Sequence, residues 1–86
     1  MNYVYLLKNK ISNKTYIGFT KNIETRIEKH LDNCVKSTKN RGGYELVYYE
    51  GYKSEKDARI REKALKSQGR QKEFLLKTVE NSLLEL

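Results

Sequence analysis

The stretch that decides the fold is YVYLLKNKISNKTYIGFT, residues 3–20. Tyr, Val, Ile and Thr crowd either side of a short polar break, so the stretch reads as two strands, over 2–8 and 14–20. The break, Asn9-Lys10-Ile11-Ser12-Asn13, has turn chemistry, and so short a connection implies an antiparallel hairpin. With Leu7 opposite Lys14, Tyr5 falls opposite Tyr16 and Tyr3 opposite Gly18. Strand alternation then puts Tyr3, Tyr5, Tyr16 and Gly18 on one face, and Val4, Leu6, Ile17 and Phe19 on the other, the better candidate for the main core. Glycine inside a strand weakens it and often marks close approach of a ligand or backbone. An open, phenol-lined patch is the expectation.

Beyond the hairpin, Asn22 is a plausible N-cap for a helix running to about Asp32. Ile23, Ile27 and Leu31 form its apolar stripe, with Arg26 and His30 side by side along one border. Residues 33–43 read as a polar loop ending in STKNRGG, made basic by Lys36, Lys39 and Arg41. YELVYYE, 44–50, is a third strand. Ser54 and Asp57 resemble a capping box and predict a second helix from about Glu55 to Gln68, with Gly69 placed to end it. A third helix from about Gln71 puts Leu75, Val79, Leu83 and Leu86 on one side. The order ββα-β-αα predicts one α+β domain over 1–86, a small three-stranded antiparallel sheet flanked by helices.

Eighteen Lys and Arg against eleven Asp and Glu leave a net charge of +7. That excess points to an anionic partner, nucleic acid first, although basicity can serve solubility alone. Cys34 is the single cysteine and His30 the single histidine, which excludes an intramolecular disulfide and argues against a zinc finger. No apolar run approaches the ~20 residues that cross a bilayer, and the start lacks the pattern of a signal peptide. A cytoplasmic protein without membrane association is the expectation.

Three features are not accounted for by packing alone. Glu62 lies between Ala58 and Leu65 in the stripe its helix should bury, where a carboxylate needs an ion pair or a cation. Arg59, Arg61 and Lys66 are the pairing alternatives. Arg26 and His30 are either ordinary surface residues or a pair directed at the tyrosine face. The seven tyrosines suit a sheet, yet Tyr16 is followed by Gly18 on the same face.

These residues resemble the GIY-YIG nuclease family. YVY (3–5) stands at the first motif, YIG (16–18) matches the second, RIEKH (26–30) follows at the family distance, and REKAL (61–65) supplies the helical glutamate. The resemblance covers nearly the whole chain, and is closest to the small single-domain members. It implies metal-dependent cleavage of phosphodiester bonds in nucleic acid, with DNA the preferred substrate and DNA repair a setting for it. Glu62 matches the ligand of one divalent cation, Mg²⁺ or Mn²⁺. Tyr16 matches the general base. A phenol with a reference pKa of ~10 needs nearby positive charge for that role, which Arg26 and the metal would supply. His30 matches a position close to the water or Tyr16, Tyr5 helps position the nucleophile or phosphate, and Gly18 keeps the patch open. The chain departs from the pattern at Tyr3, where the family has glycine, and at Phe19, where some repair nucleases carry lysine. Asn81 is the only asparagine beyond Glu62 and is not assigned the role many members give to one.

An endonuclease is therefore the leading expectation. The alternative is a non-catalytic nucleic-acid-binding module on the same fold. Gly18, Lys36, Lys39, Arg41, Lys66 and Arg70 are the expected nucleic-acid contacts. The terminal SLLEL is expected to dock on its own domain, in a monomer or weak homodimer.

Overall fold

Among the described residues, strand β1 (Asn2–Asn9) is the one with partners on both sides. β2 (Thr15–Thr20) and β3 (Tyr44–Tyr52) both pair with it antiparallel, giving the order β2-β1-β3. The computed structural model describes residues 1–26, 28 and 43–85. The expected helix residues Ile27, His30 and Leu31, the basic loop with Lys36, Lys39 and Arg41, and Leu86 lie outside them.

The hairpin register differs from expectation by two residues. Leu7 faces Tyr16, Tyr5 faces Gly18, and Tyr3 faces Thr20. The cause is Asn9. Its backbone N–H donates to the Lys14 carbonyl at 2.9 Å, and its buried side-chain oxygen accepts from the N–H groups of Ile11 (2.8 Å) and Ser12 (3.1 Å). Asn13 takes the left-handed conformation (φ 63°) that asparagine tolerates. The turn thus closes at Asn9 and Lys14. Because side chains alternate with period two, the shift leaves every residue on its expected face.

The core lies on the face carrying Val4, Leu6 and Ile17. Helices α1 (Glu55–Ser67) and α2 (Gly69–Thr78) contribute Ala58, Leu65 and Leu75 to it, and Val79 completes the cluster. Ser54 caps α1 as its spacing predicts, accepting from the Asp57 N–H at 3.3 Å. Gly69 does not end α1. Gln68 does so in an extended conformation, and Gly69 opens α2. The third expected helix is broken at Val79, after which Glu80–Leu84 forms a short α3. Leu83 packs against the core and its carbonyl accepts from Lys8 Nζ at 3.4 Å, so this end of the chain docks on its own sheet. Among the described residues no helix is long and apolar enough to cross a membrane.

A polar cluster ties α1 and α2 to β3. The Glu50 carboxylate accepts from the hydroxyls of Tyr48 and Tyr52 and from Arg61 Nε at 2.7 Å, while Arg61 Nη1 donates to Gln71 Oε1 at 3.3 Å. Burial works to raise the Glu50 pKa, but the hydrogen bonds from Arg61 and the two phenols outweigh it and hold the carboxyl below its ordinary value. Burial, then the bond to Glu50, pushes Tyr48 and Tyr52 up to about 12. The Glu50 contribution to stability is therefore present above its unfolded pKa and is lost as pH falls through the folded one. The phenols' contribution is present below about 10 and disappears as pH rises toward 12. Removing Arg61 leaves a carboxylate with a 14% exposed side chain without its cation. Arg61→Met is expected to cost about 2–3 kcal/mol, somewhat less than for a fully buried pair. Thermal melting would register this as a drop of roughly 10–20 °C.

Candidate active site

The site is built from β2 outward. Gly18 faces Tyr5 across the β1–β2 ladder, and a Cβ at residue 18 would collide with the ring and hydroxyl of Tyr5. The glycine therefore gives its room to Tyr5. It is buried, and the patch is not open above it as the sequence suggested. Tyr5 is itself 1% exposed and lies against Tyr16, with ring centroids 6.2 Å apart and planes tilted by 46°. Tyr16 is 41% exposed, so of the two phenols it is the one that reaches solvent. Gly18→Ala must displace the Tyr5 ring, an overpacking expected to cost about 1–3 kcal/mol. Urea denaturation would measure it.

Burial pushes the Tyr5 hydroxyl up to about 12. Tyr16 and Glu62 add to that rise, the hydrogen bond between the two phenols adds further, and Arg26 opposes it. Tyr5 therefore stays a neutral phenol throughout the physiological range, hydrogen-bonded to Tyr16. The same interactions also place Arg26 and Glu62 within electrostatic reach of one hydroxyl.

Arg26 is delivered by its helix start. Thr25 N–H donates to the Asn22 side chain (3.1 Å) and Arg26 N–H to the Asn22 carbonyl (3.1 Å), so Asn22 caps the helical backbone over 23–26 as predicted. Glu62 comes from α1, at the border of the face that buries Ala58 and Leu65. Its carboxylate accepts from Lys66 Nζ at 2.9 Å and its side chain is 18% exposed. Of the three partners open to it in the sequence, Lys66 is the one it takes. Lys66 Nζ also lies 6.0 Å from the centroid of the Tyr16 ring. Tyr5, Tyr16, Gly18, Arg26, Glu62 and Lys66 thus gather from four separate segments of chain. Arg70 is exposed on α2. His30, Lys36, Lys39 and Arg41 lie outside the described residues.

Two departures from the family pattern acquire a physical account. Tyr3 stacks edge-on with Tyr49 at 5.8 Å and covers Gly51, so its phenol fills the sheet beside the site. Phe19 points to the core face, where the Arg59 guanidinium lies 4.1 Å over its ring, so it offers no cation to a phosphate. What sequence reasoning missed was the dependence of Tyr5 on Gly18. The signal was present: an aromatic residue and a glycine on neighbouring strands and on one face.

A divalent cation is tested by the donors present. Among the described residues no three His, Cys, Asp or Glu side chains cluster as a metal cage. One carboxylate flanked by phenols does not fit zinc. It fits a hydrated Mg²⁺, which takes one or two carboxylates and completes its shell with water and substrate phosphate.

Comparison with known proteins agrees with this fold. A model of the GIY-YIG catalytic domain matches residues 1–74. The chain is 40% identical to a UPF0213 protein of Clostridium perfringens over 77 residues, which are 88% of this chain and 82% of that protein. It is also 40% identical to a UPF0213 protein of Staphylococcus haemolyticus over 73 residues, 84% of this chain and 88% of that one. The solution NMR structure of a UPF0213 protein from Bacillus halodurans superimposes with a TM-score of 0.57 at 33% identity, covering 92% of this chain and 85% of the other.

Proposed function

The chain belongs to the GIY-YIG family, whose fold is of the nuclease type, and on that premise we propose that it is a divalent-metal-dependent endonuclease hydrolysing phosphodiester bonds in DNA. The observation that carries the proposal is that the Tyr5–Tyr16 phenol pair lies within electrostatic reach of both Arg26 and Glu62. Packing alone has no use for a carboxylate, a guanidinium and a half-exposed phenol gathered from distant segments.

Acting as its phenolate, Tyr16 takes a proton from the attacking water as the water oxygen bonds to phosphorus, and the ester P–O bond breaks with its electron pair leaving on the departing oxygen. Tyr5, neutral and buried, holds the Tyr16 oxygen in place by donating to it. Arg26 stabilises negative charge developing on the phosphoryl oxygens. Glu62 would hold the cation. When bound, a divalent ion supplies charge neutralisation at the phosphate and the departing oxygen. Lys66, now on Glu62, is positioned to pass to a phosphate oxygen when Glu62 takes a cation.

A panel of duplex, branched and single-stranded DNA and of RNA, incubated with Mg²⁺ and with EDTA, tests the proposal. Cleavage of a DNA member in Mg²⁺ alone is expected. Salt-sensitive binding of the panel with no product would favour the non-catalytic module.

A further inference from the structure

Helix α1 carries a row of charge that the cleavage chemistry does not use. Going round the helix at 100° per residue, Lys66, Arg59, Lys63 and Lys56 follow Glu62 in that order. Four cations therefore fill the sector between the Glu62 border and solvent, and all four are exposed. Three contacts set this flank along edge strand β2. Lys66 lies over Tyr16, the Arg59 guanidinium over Phe19, and Glu55 pairs with Lys21 at 2.9 Å. As β2 runs from Tyr16 toward Lys21, α1 runs back from Lys66 to Glu55. The row thus starts beside Tyr16 and Glu62 and leads away along the sheet edge.

Its charge is only partly cancelled locally. Arg59 and Lys21 share Glu55, and Lys66 is on Glu62. Lys56 and Lys63 make no ion pair among the described residues. From Lys66 to Lys56 the row spans about 15 Å, the length of roughly four nucleotides of one strand. Ile60, 59% exposed, lies beside Lys56 and Lys63 in a shallow depression and offers an apolar contact for sugar.

We propose that the row Lys66, Arg59, Lys63 and Lys56 is a track for the phosphodiester backbone, holding the strand that leads away from the bond cut at Tyr16. The position of the cut rests on the proposed nuclease function, but binding by the track does not. Fluorescence anisotropy of the full chain with labelled 20-nucleotide single strands and 20-base-pair duplexes, in EDTA and over a salt series, tests it. Lys56→Ala/Lys63→Ala is expected to weaken binding of at least one probe about tenfold at low salt and to reduce its salt slope by about 1.4–1.8, two phosphate contacts' worth. Lys72→Ala/Lys77→Ala on α2 removes the same charge off the row and is expected to change affinity less than about twofold. Equal effects of the two double variants, or an unchanged slope in the first, overturn the track. So does a first variant that loses binding to anionic lipid vesicles while keeping oligonucleotide binding. A chain that binds through the row but cuts nothing in Mg²⁺ retires the nuclease and leaves the track. One that cuts, with normal binding by Lys56→Ala/Lys63→Ala, retires the track alone.

Discussion

Tyr16→Phe is expected to lower the single-turnover rate of phosphodiester cleavage by about 10²–10⁴-fold, the range for loss of a positioned general base, with oligonucleotide affinity unchanged. The substitution removes only the oxygen, so the ring and its contact with Tyr5 remain. Tyr5→Phe should cost roughly tenfold, the value of one orienting hydrogen bond. The asymmetry follows from burial. Tyr5 is enclosed and its hydroxyl stays protonated up to about 12, so it orients but does not take a proton. Tyr16 reaches solvent, where water and phosphate can approach. Equal losses for the two substitutions would reverse the assignment.

Glu62→Gln is expected to reduce cleavage by about 10³-fold or more, since it removes the one carboxylate that the described residues bring to the site, and with it the charge neutralisation a bound cation would supply. Glutamine keeps the volume at the edge of the buried face, so the fold should melt normally. Titration calorimetry with Mn²⁺ gives a readout independent of turnover: heat of binding in the wild type and none in the variant. Lys66 loses its partner in this variant, so oligonucleotide affinity should hold or tighten. Cleavage within about threefold of wild type would remove Glu62 from the mechanism.

Much of this site is legible in the sequence because its parts obey local rules. Asn22 and Ser54 cap their helices at the predicted positions, which orients Arg26 and Glu62. Period-two alternation assigns Tyr5, Tyr16 and Gly18 to one face even though the register is two residues off. That error came from the turn, where the pairing is set by a buried Asn9 side chain and a left-handed Asn13, and neither leaves a mark in strand patterning. Gly69 was read as a helix stop because glycine commonly ends helices. Here Gln68 leaves helical geometry first and its N–H still reaches the Ala64 carbonyl. The Glu50 cluster was beyond local reading, since its five members come from β3, α1 and α2 and meet only through tertiary packing. Glu62 stood out by violating the burial pattern, and its partner Lys66 lies one helical turn away, the spacing at which such pairs form.

The most direct test of the central claim is conversion of supercoiled plasmid to nicked circle by the purified chain, in Mg²⁺, in excess EDTA, and in EDTA with Mg²⁺ restored. A site in which Tyr16, Arg26 and a Glu62-bound cation hydrolyse a phosphodiester predicts nicking in the first and third conditions and none in the second. Nicking that persists in EDTA, or intact plasmid in all three, would contradict it.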